Sequence, residues 1–184
     1  MRTLFAFNMM SLDGFFEGPD RDISWHQVDE EFNDFAIEQL QAVDLIIFGR
    51  VTYEGMASYW PTPIAIETDP AVANLMNTVP KIVVSTSLQR ADWKNTTLIK
   101  DNARTEILKR KQQTGKDIAI FGSADLISSF MDIIDEHRVM INPVLLHQGT
   151  ALFKGDGPPY MLKLISTRIF NSGNILLSYQ PLRN

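Results

Sequence analysis

A chain of 184 residues with 45% hydrophobic and 21% charged residues has the composition of a globular domain, and at that length roughly 70% of the unfolded surface is buried on folding. A formal net charge of −5 argues against a general binder of nucleic acid or membrane surfaces, which would need a basic face, so an anionic ligand must be met by a local set of donors. The absence of cysteine excludes disulfides, thiolate catalysis and a cysteine zinc site.

The opening MRTLFAFNMMSLDG carries one arginine and a short apolar run broken by Asn8, a poor match to a signal peptide. No stretch approaches the roughly 20 apolar residues of a spanning helix, and the expectation is a cytoplasmic protein. Thr3 to Met9 reads as a buried strand, followed by a long loop, Ser11 to Ser24, rich in Gly and Asp. Asp29 to Val43 places Phe32, Phe35, Ala36, Leu40 and Val43 at a 3.6-residue period behind an acidic start, which predicts a helix. Leu45 to Phe48 is a second strand, Arg50 to Trp60 a helix stopped by Pro61, and Pro61 and Pro63 open a loop. A short helix over Ala71 to Thr78 and a third strand, Lys81 to Ser85, come next.

After Asn102 a charged helix runs to about Thr114, with Glu106 and Arg110 spaced for an i,i+4 pair and Gly115 at its end. Ile118 to Phe121 is a fourth strand, and the next helix carries Leu126, Ile127, Phe130, Ile133 and Ile134 on one face. The runs MLKLISTRIF and NILLSYQ around Ser172-Gly173 read as an antiparallel hairpin. Strands alternating with helices before a terminal hairpin predict an α/β domain spanning 1–184, its mixed sheet covered by helices on both faces.

Two strand-to-helix junctions carry the chemistry: Phe48-Gly49-Arg50-Val51-Thr52 and Phe121-Gly122-Ser123-Ala124. In an open α/β sheet, ligands bind beyond the carboxyl ends of the strands. A glycine there lets a phosphate reach the backbone donors of the helix start, although a glycine can equally serve only the turn. Arg50 and Thr52 add a cation and a hydroxyl. Ser85-Thr86-Ser87 after the third strand offers hydroxyls for a ribose phosphate, or an ordinary Ser/Thr turn.

Asp13 after the first strand, and Asp29, Glu30 and Glu31 at the start of the first helix, place carboxylates near the same crevice. Each is a candidate to relay a proton, and each has a plainer role, Asp13 in a turn before Gly14 and the others in capping the helix. His26 is a further proton donor in principle. The three histidines lie far apart, and no spacing of His, Asp and Glu suggests a metal site.

Taken in order, Asn8-Met9-Met10-Ser11-Leu12-Asp13-Gly14, Gly49-Arg50-x-Thr52-Tyr53-Glu54 with Tyr59-Trp60-Pro61, Val83-Val84-Ser85, Gly122-Ser123-Ala124, and Ile141 to Leu146 with Gly149 and Leu152-Phe153 resemble a dihydrofolate-reductase-like domain. The nearer likeness is to the C-terminal reductase domain of bifunctional riboflavin-biosynthesis enzymes. The resemblance implies a three-layer fold with a central, mostly parallel sheet, and a homodimer. It also implies an NADPH-dependent reductase acting on a small heterocycle, similar to 5-amino-6-(5-phosphoribosylamino)uracil reductase or dihydrofolate reductase. Gly49, Arg50 and Thr52 would then meet the cofactor phosphates. Ser85 and Thr86 would sit by the adenosine ribose and its 2′-phosphate, and Gly122, Ser123 and Ala124 would line the pyrophosphate and nicotinamide side. Leu12, Asp13 and Gly14 would close over the nicotinamide, with Asp13, Asp29 or Glu30 supplying the proton. Pro80-Lys81 stands where folate-binding members carry an arginine. A nucleotide-binding module without turnover is the alternative reading.

Overall fold

Short runs of β-branched and aliphatic residues, each bounded by a glycine, a proline or a polar turn, form the strands of a computed structural model that describes residues 1–153 and 158–182. In chain order the elements are β1 (Leu4–Ser11), β2 (Phe15–Glu17), α1 (Glu30–Ala42), β3 (Val43–Gly49), α2 (Arg50–Tyr59), α3 (Pro63–Thr68), α4 (Pro70–Thr78), β4 (Lys81–Val84), β5 (Thr96–Ile99), α5 (Ala103–Gln112), β6 (Asp117–Ile120), α6 (Ala124–Phe130), β7 (Glu136–Asn142), β8 (Thr150–Ala151), β9 (Leu162–Ile169) and β10 (Ile175–Pro181).

Eight strands make one sheet in the order β5-β4-β3-β6-β1-β7-β10-β9, and β2 pairs with β8 in a separate ribbon. The six strands from β5 to β7 run parallel, whereas β10 is antiparallel to both β7 and β9. The central strands are buried on both faces, as parallel strands under crossover helices must be. Leu4, Ala6, Leu45, Ile47, Ile118 and Ile120 point to the face covered by α5 and α6, through Ile107, Leu126, Ile127 and Phe130. The alternate residues Phe5, Ile46, Phe48 and Ala119 point to the other face, covered by α1, α2 and α4 through Leu40, Tyr53, Val72 and Met76.

After β3 the chain moves outward to β4 through α2 on one face. After β6 it crosses β1 to reach β7 through α6 on the opposite face. The direction of winding therefore reverses between neighbours β3 and β6, which is the switch point where an open α/β sheet leaves a crevice.

Several elements differ from the sequence expectation. The segment opened by Pro61 and Pro63 is not all loop: Thr62 caps α3 by accepting a bond from the Ala65 N–H (3.2 Å), and Pro63 occupies the first turn, where its missing donor costs nothing. The helix expected to run through Ile133 and Ile134 ends at Phe130. A tight turn follows, in which the Ile133 and Ile134 N–H groups both donate to the Phe130 carbonyl, and both side chains stay in the core. The four-residue edge strand β5 is additional, as is the ribbon that β2, inside the long first loop, forms with β8 from the segment after β7.

Lys81 begins β4 at 1% exposure, at the end of the sheet opposite the crevice. Its ammonium donates to the carbonyls of Met76 (2.8 Å) and Val79 (2.7 Å) at the C-terminal end of α4, and lies 4.5 Å from the centre of the Trp93 ring. A cation suits that helix end, and burial lowers its pKa to about 8. Among the described residues no helix is long and apolar enough to cross a membrane.

Candidate functional site

The two glycine junctions predicted from sequence meet each other. Gly49 closes β3 and precedes α2; Gly122 follows β6; and the Gly49 N–H donates to the Gly122 carbonyl at 3.1 Å. Neither position has room for a side chain. A Cβ on Gly49 would lie 2.8 Å from the Ser123 hydroxyl, and one on Gly122 would lie 2.9 Å from Thr52 Oγ1. Gly122 also holds φ at +73°, and the Gly122–Ser123 peptide is cis. Two buried glycines, with no side chain between their strands, thus lie where α2 and α6 begin on opposite faces of the sheet. No side chain caps α2, which leaves its first-turn donors to other partners.

Around those glycines, Arg50 is half-exposed and bonded to Glu54 one turn along α2 (2.8 Å). An exposed pair of this kind contributes only about 0.3–0.5 kcal/mol, so a phosphate can displace it. Just past neighbouring β4, Ser85 is buried and its hydroxyl accepts from the N–H groups of Ser87 (3.2 Å) and Leu88 (3.0 Å), while Thr86 and Ser87 stand exposed at the turn. Ser85 therefore shapes the turn and its neighbours present hydroxyls. Ser123 is half-buried; Ala124 is packed in the core and offers only its backbone.

On the other side of β6, Leu12 is exposed and Gly14 holds φ at +91°. The Asp13 carboxylate between them accepts from the Ser11 hydroxyl (2.6 Å) and from the N–H groups of Leu146 (3.1 Å) and His147 (2.8 Å). These bonds, the Ser11 hydroxyl first, lower its pKa to about 2, so it is ionised at neutral pH. Asp29 caps α1 by accepting from the Phe32 N–H (2.9 Å), and Glu30 is exposed in the first turn. Burial lowers the His26 pKa to about 4, so that ring is neutral at neutral pH.

Two further groups come together only in the fold. Phe7, Phe32 and Phe121 are half-buried and join Phe35 in edge-on contacts, with centroids 6.1 Å apart for Phe7–Phe121, 5.6 Å for Phe7–Phe35 and 6.3 Å for Phe32–Phe35. They form an aromatic wall between β1, α1 and the end of β6. Asn142 and Asn174, both fully buried, grip the backbone of Gln27 from two sides. The Asn142 side-chain oxygen accepts from the Gln27 N–H and the Asn174 amide donates to the Gln27 carbonyl, each at 2.9 Å. The run of aromatics at Phe7, Phe32 and Phe35 was visible as core; the asparagine grip has no sequence signal, because its target is backbone more than a hundred positions away.

A groove of about 720 Å³ walled by Trp93 lies on the outer side of α2, and one of about 480 Å³ lies between β5 and α5; Gly49 and Gly122 line neither. Among the described residues no group of three or more His, Asp or Glu could hold a metal ion.

The RibD C-terminal domain family matches residues 2–176. The uncharacterised protein YyaP of Bacillus subtilis (strain 168) is 33% identical over 174 residues, covering 92% of this chain and 90% of its own. Dihydrofolate reductase from Enterococcus faecalis, solved with NADP(H), superposes with a TM-score of 0.67 at 15% identity over 98% of this chain and 97% of that one. RibD from Acinetobacter baumannii gives a TM-score of 0.69 at 18% identity over 100% of this chain and 59% of its own. At those identities the two structures establish a shared fold.

The paired glycines make opposite demands from a glycine inside α2. Gly122→Ala should lower stability by about 1–3 kcal/mol, from the left-handed φ and the contact with Thr52. Gly55→Ala, where a Cβ meets nothing within 4 Å, should raise it by about 0.5–1 kcal/mol. Urea denaturation measures both, and equal shifts of the two midpoints would contradict the close-approach account.

Proposed function

Because the chain belongs to the RibD C-terminal domain family, we propose that it is an NADPH-dependent reductase acting on the C=N or C=O group of a small heterocycle. The contact between the two glycine junctions carries this reading. It brings the uncapped start of α2 and the start of α6 together at the switch point with no side chain between them, and a dinucleotide diphosphate needs such helix-start donors side by side. When bound, NADPH supplies the hydride. Gly49, Arg50 and Thr52 would hold its phosphates; Gly122, Ser123 and Ala124 would line the pyrophosphate and nicotinamide side; Leu12 and Gly14 would cover the ring. Ser85 would hold the turn that presents Thr86 to the 2′-phosphate.

The aromatic wall of Phe7, Phe32 and Phe121 suits a flat ring stacked beside the reacting carbon. Pro80-Lys81 stands where folate-binding members carry an arginine, and the Lys81 ammonium is committed to the carbonyls of Met76 and Val79, which favours a compact pyrimidine or pterin over folate. The substrate proton would come from Asp29 or Glu30 at the start of α1 or from solvent, since the bonds to Asp13 stabilise its ionised form. The subunits would pair through β9, an edge strand that exposes Leu164, Ile165 and Ile169, the last at 75%. A solution mass of twice the chain, falling only on dilution, is expected; a monomer mass at every concentration would exclude the pairing.

Titration with NADPH, followed by turnover on pterins, pyrimidines, quinones and nitro compounds, tests the reading. Arg50→Ala should weaken NADPH binding about tenfold or more, the loss of one charge-assisted bond. NADH should bind more weakly than NADPH by a modest factor, because the 2′-phosphate meets hydroxyls and no adjacent arginine. If Asp29 or Glu30 is the donor, Asp29→Asn or Glu30→Gln should lower turnover by roughly 10²–10⁴-fold at nearly unchanged NADPH affinity. Tight NADPH binding with no turnover on any substrate would make the chain a nucleotide-binding module, and failure to bind NADPH would end the reductase reading.

A further inference from the structure

The long excursion between β1 and α1 is fastened to the segment after β7 at several points. Leu12 N–H donates to the Val144 carbonyl (2.9 Å), and Leu152 N–H donates to the Gly14 carbonyl (3.2 Å). β2 pairs with β8 through Phe15–Ala151 and Glu17–Thr150, and the Thr150 hydroxyl donates to the Glu17 carboxylate (2.8 Å). Gly149 passes so close to the Glu17 carbonyl that no side chain fits between them. Between the Leu12 and Gly14 bonds stands the Asp13 carboxylate, which makes a further contact of its own. Its two oxygens receive the Leu146 and His147 N–H groups from across the fold, while the local Ser11 hydroxyl fixes its rotamer. Ser11 itself is fully buried and also accepts from the Phe15 N–H (2.9 Å), so the turn from 11 to 15 closes around one hydroxyl.

We infer that Asp13 is a positioning residue: its carboxylate latches the Leu12–Gly14 turn onto residues 146 and 147, and so fixes that turn over the mouth of the crevice. A turn residue acting only locally would not need acceptors aimed at amides 133 and 134 positions away. A proton donor would need a protonated oxygen, whereas all three partners donate toward Asp13 and stabilise the anion. Two exposed leucines, Leu12 and Leu145, flank the latch, so its geometry sets where that apolar pair stands. The latch is a property of the free protein; that the turn faces a bound nicotinamide rests on the reductase reading.

Asparagine keeps one acceptor oxygen and alanine keeps none, which separates the roles. In the free protein, Asp13→Ala should speed hydrogen exchange at the Leu146 and His147 amides by about tenfold or more, and Asp13→Asn by no more than about threefold. NADPH affinity should follow the same order, about tenfold weaker in Asp13→Ala and within about threefold of wild type in Asp13→Asn. The pH profile of turnover should keep its apparent pKa values in Asp13→Asn. Unchanged exchange in Asp13→Ala would overturn the latch. Equal loss of turnover in both variants, with exchange and affinity at wild-type values, would overturn positioning in favour of proton donation. Wild-type affinity in Asp13→Ala with raised exchange would reduce the contact to a structural one and also overturn it. If the wild type does not bind NADPH, the reductase reading falls while the exchange rates still decide the latch.

Discussion

The carboxyl edge of the sheet is organised by how closely β3 and β6 end against each other. Parallel neighbours lie under 5 Å apart, and here the last residue of one donates to the backbone just beyond the other, Gly49 to Gly122. A side chain on Gly49 would collide with the Ser123 hydroxyl, and one on Gly122 with Thr52. Glycine at both positions keeps this close contact, and with it the divergence of α2 and α6 onto opposite faces. A Cβ at either would push one helix start away from the other. The switch point of the topology and the paired glycines are thus one feature, seen once as strand order and once as sterics.

The remaining parts of the candidate site are held from the β7 side. Asn142 ends β7 and grips Gln27; Asn174 precedes β10 and grips the same residue; the segment after β7 receives Asp13. Buried amides of this kind are costly when unpaired and specifying when paired. They fix the entry of α1, and therefore the placement of Asp29, Glu30 and the Phe32–Phe35 wall, to the sheet rather than to a free loop. The candidate site is accordingly built from two halves: one set by the β3–β6 contact, where the proposed cofactor phosphates would lie, and one set by attachments to β7 and β10, where the proposed ring would lie.

The two glycine junctions were legible in the sequence as structure. Gly-Arg-x-Thr and Gly-Ser-Ala each stand at the end of an aliphatic run, and local pattern alone places both at strand-to-helix junctions. The two-face cover of the parallel strands and the terminal hairpin were also readable from periodicity. What was not readable was long-range and polar. Nothing near Asp13 announces that its partners are the amides of Leu146 and His147, and nothing near Lys81 announces a helix end as its acceptor. β5 is four residues at an edge, too short for a period. α3 was legible in principle, since Thr62-Pro63 is a helix-start pair, but two prolines in three residues read more readily as a loop.

The account rests on one claim, that a dinucleotide lies across the ends of β3 and β6. The most direct test follows backbone amide resonances of the ¹⁵N-labelled protein as NADPH is added. The account predicts the largest shifts at Gly49–Thr52, Thr86–Ser87 and Gly122–Ala124, with a second group at Leu12–Gly14. Shifts confined to the Trp93 groove or to the β5–α5 edge, with those amides unmoved at saturation, would contradict it.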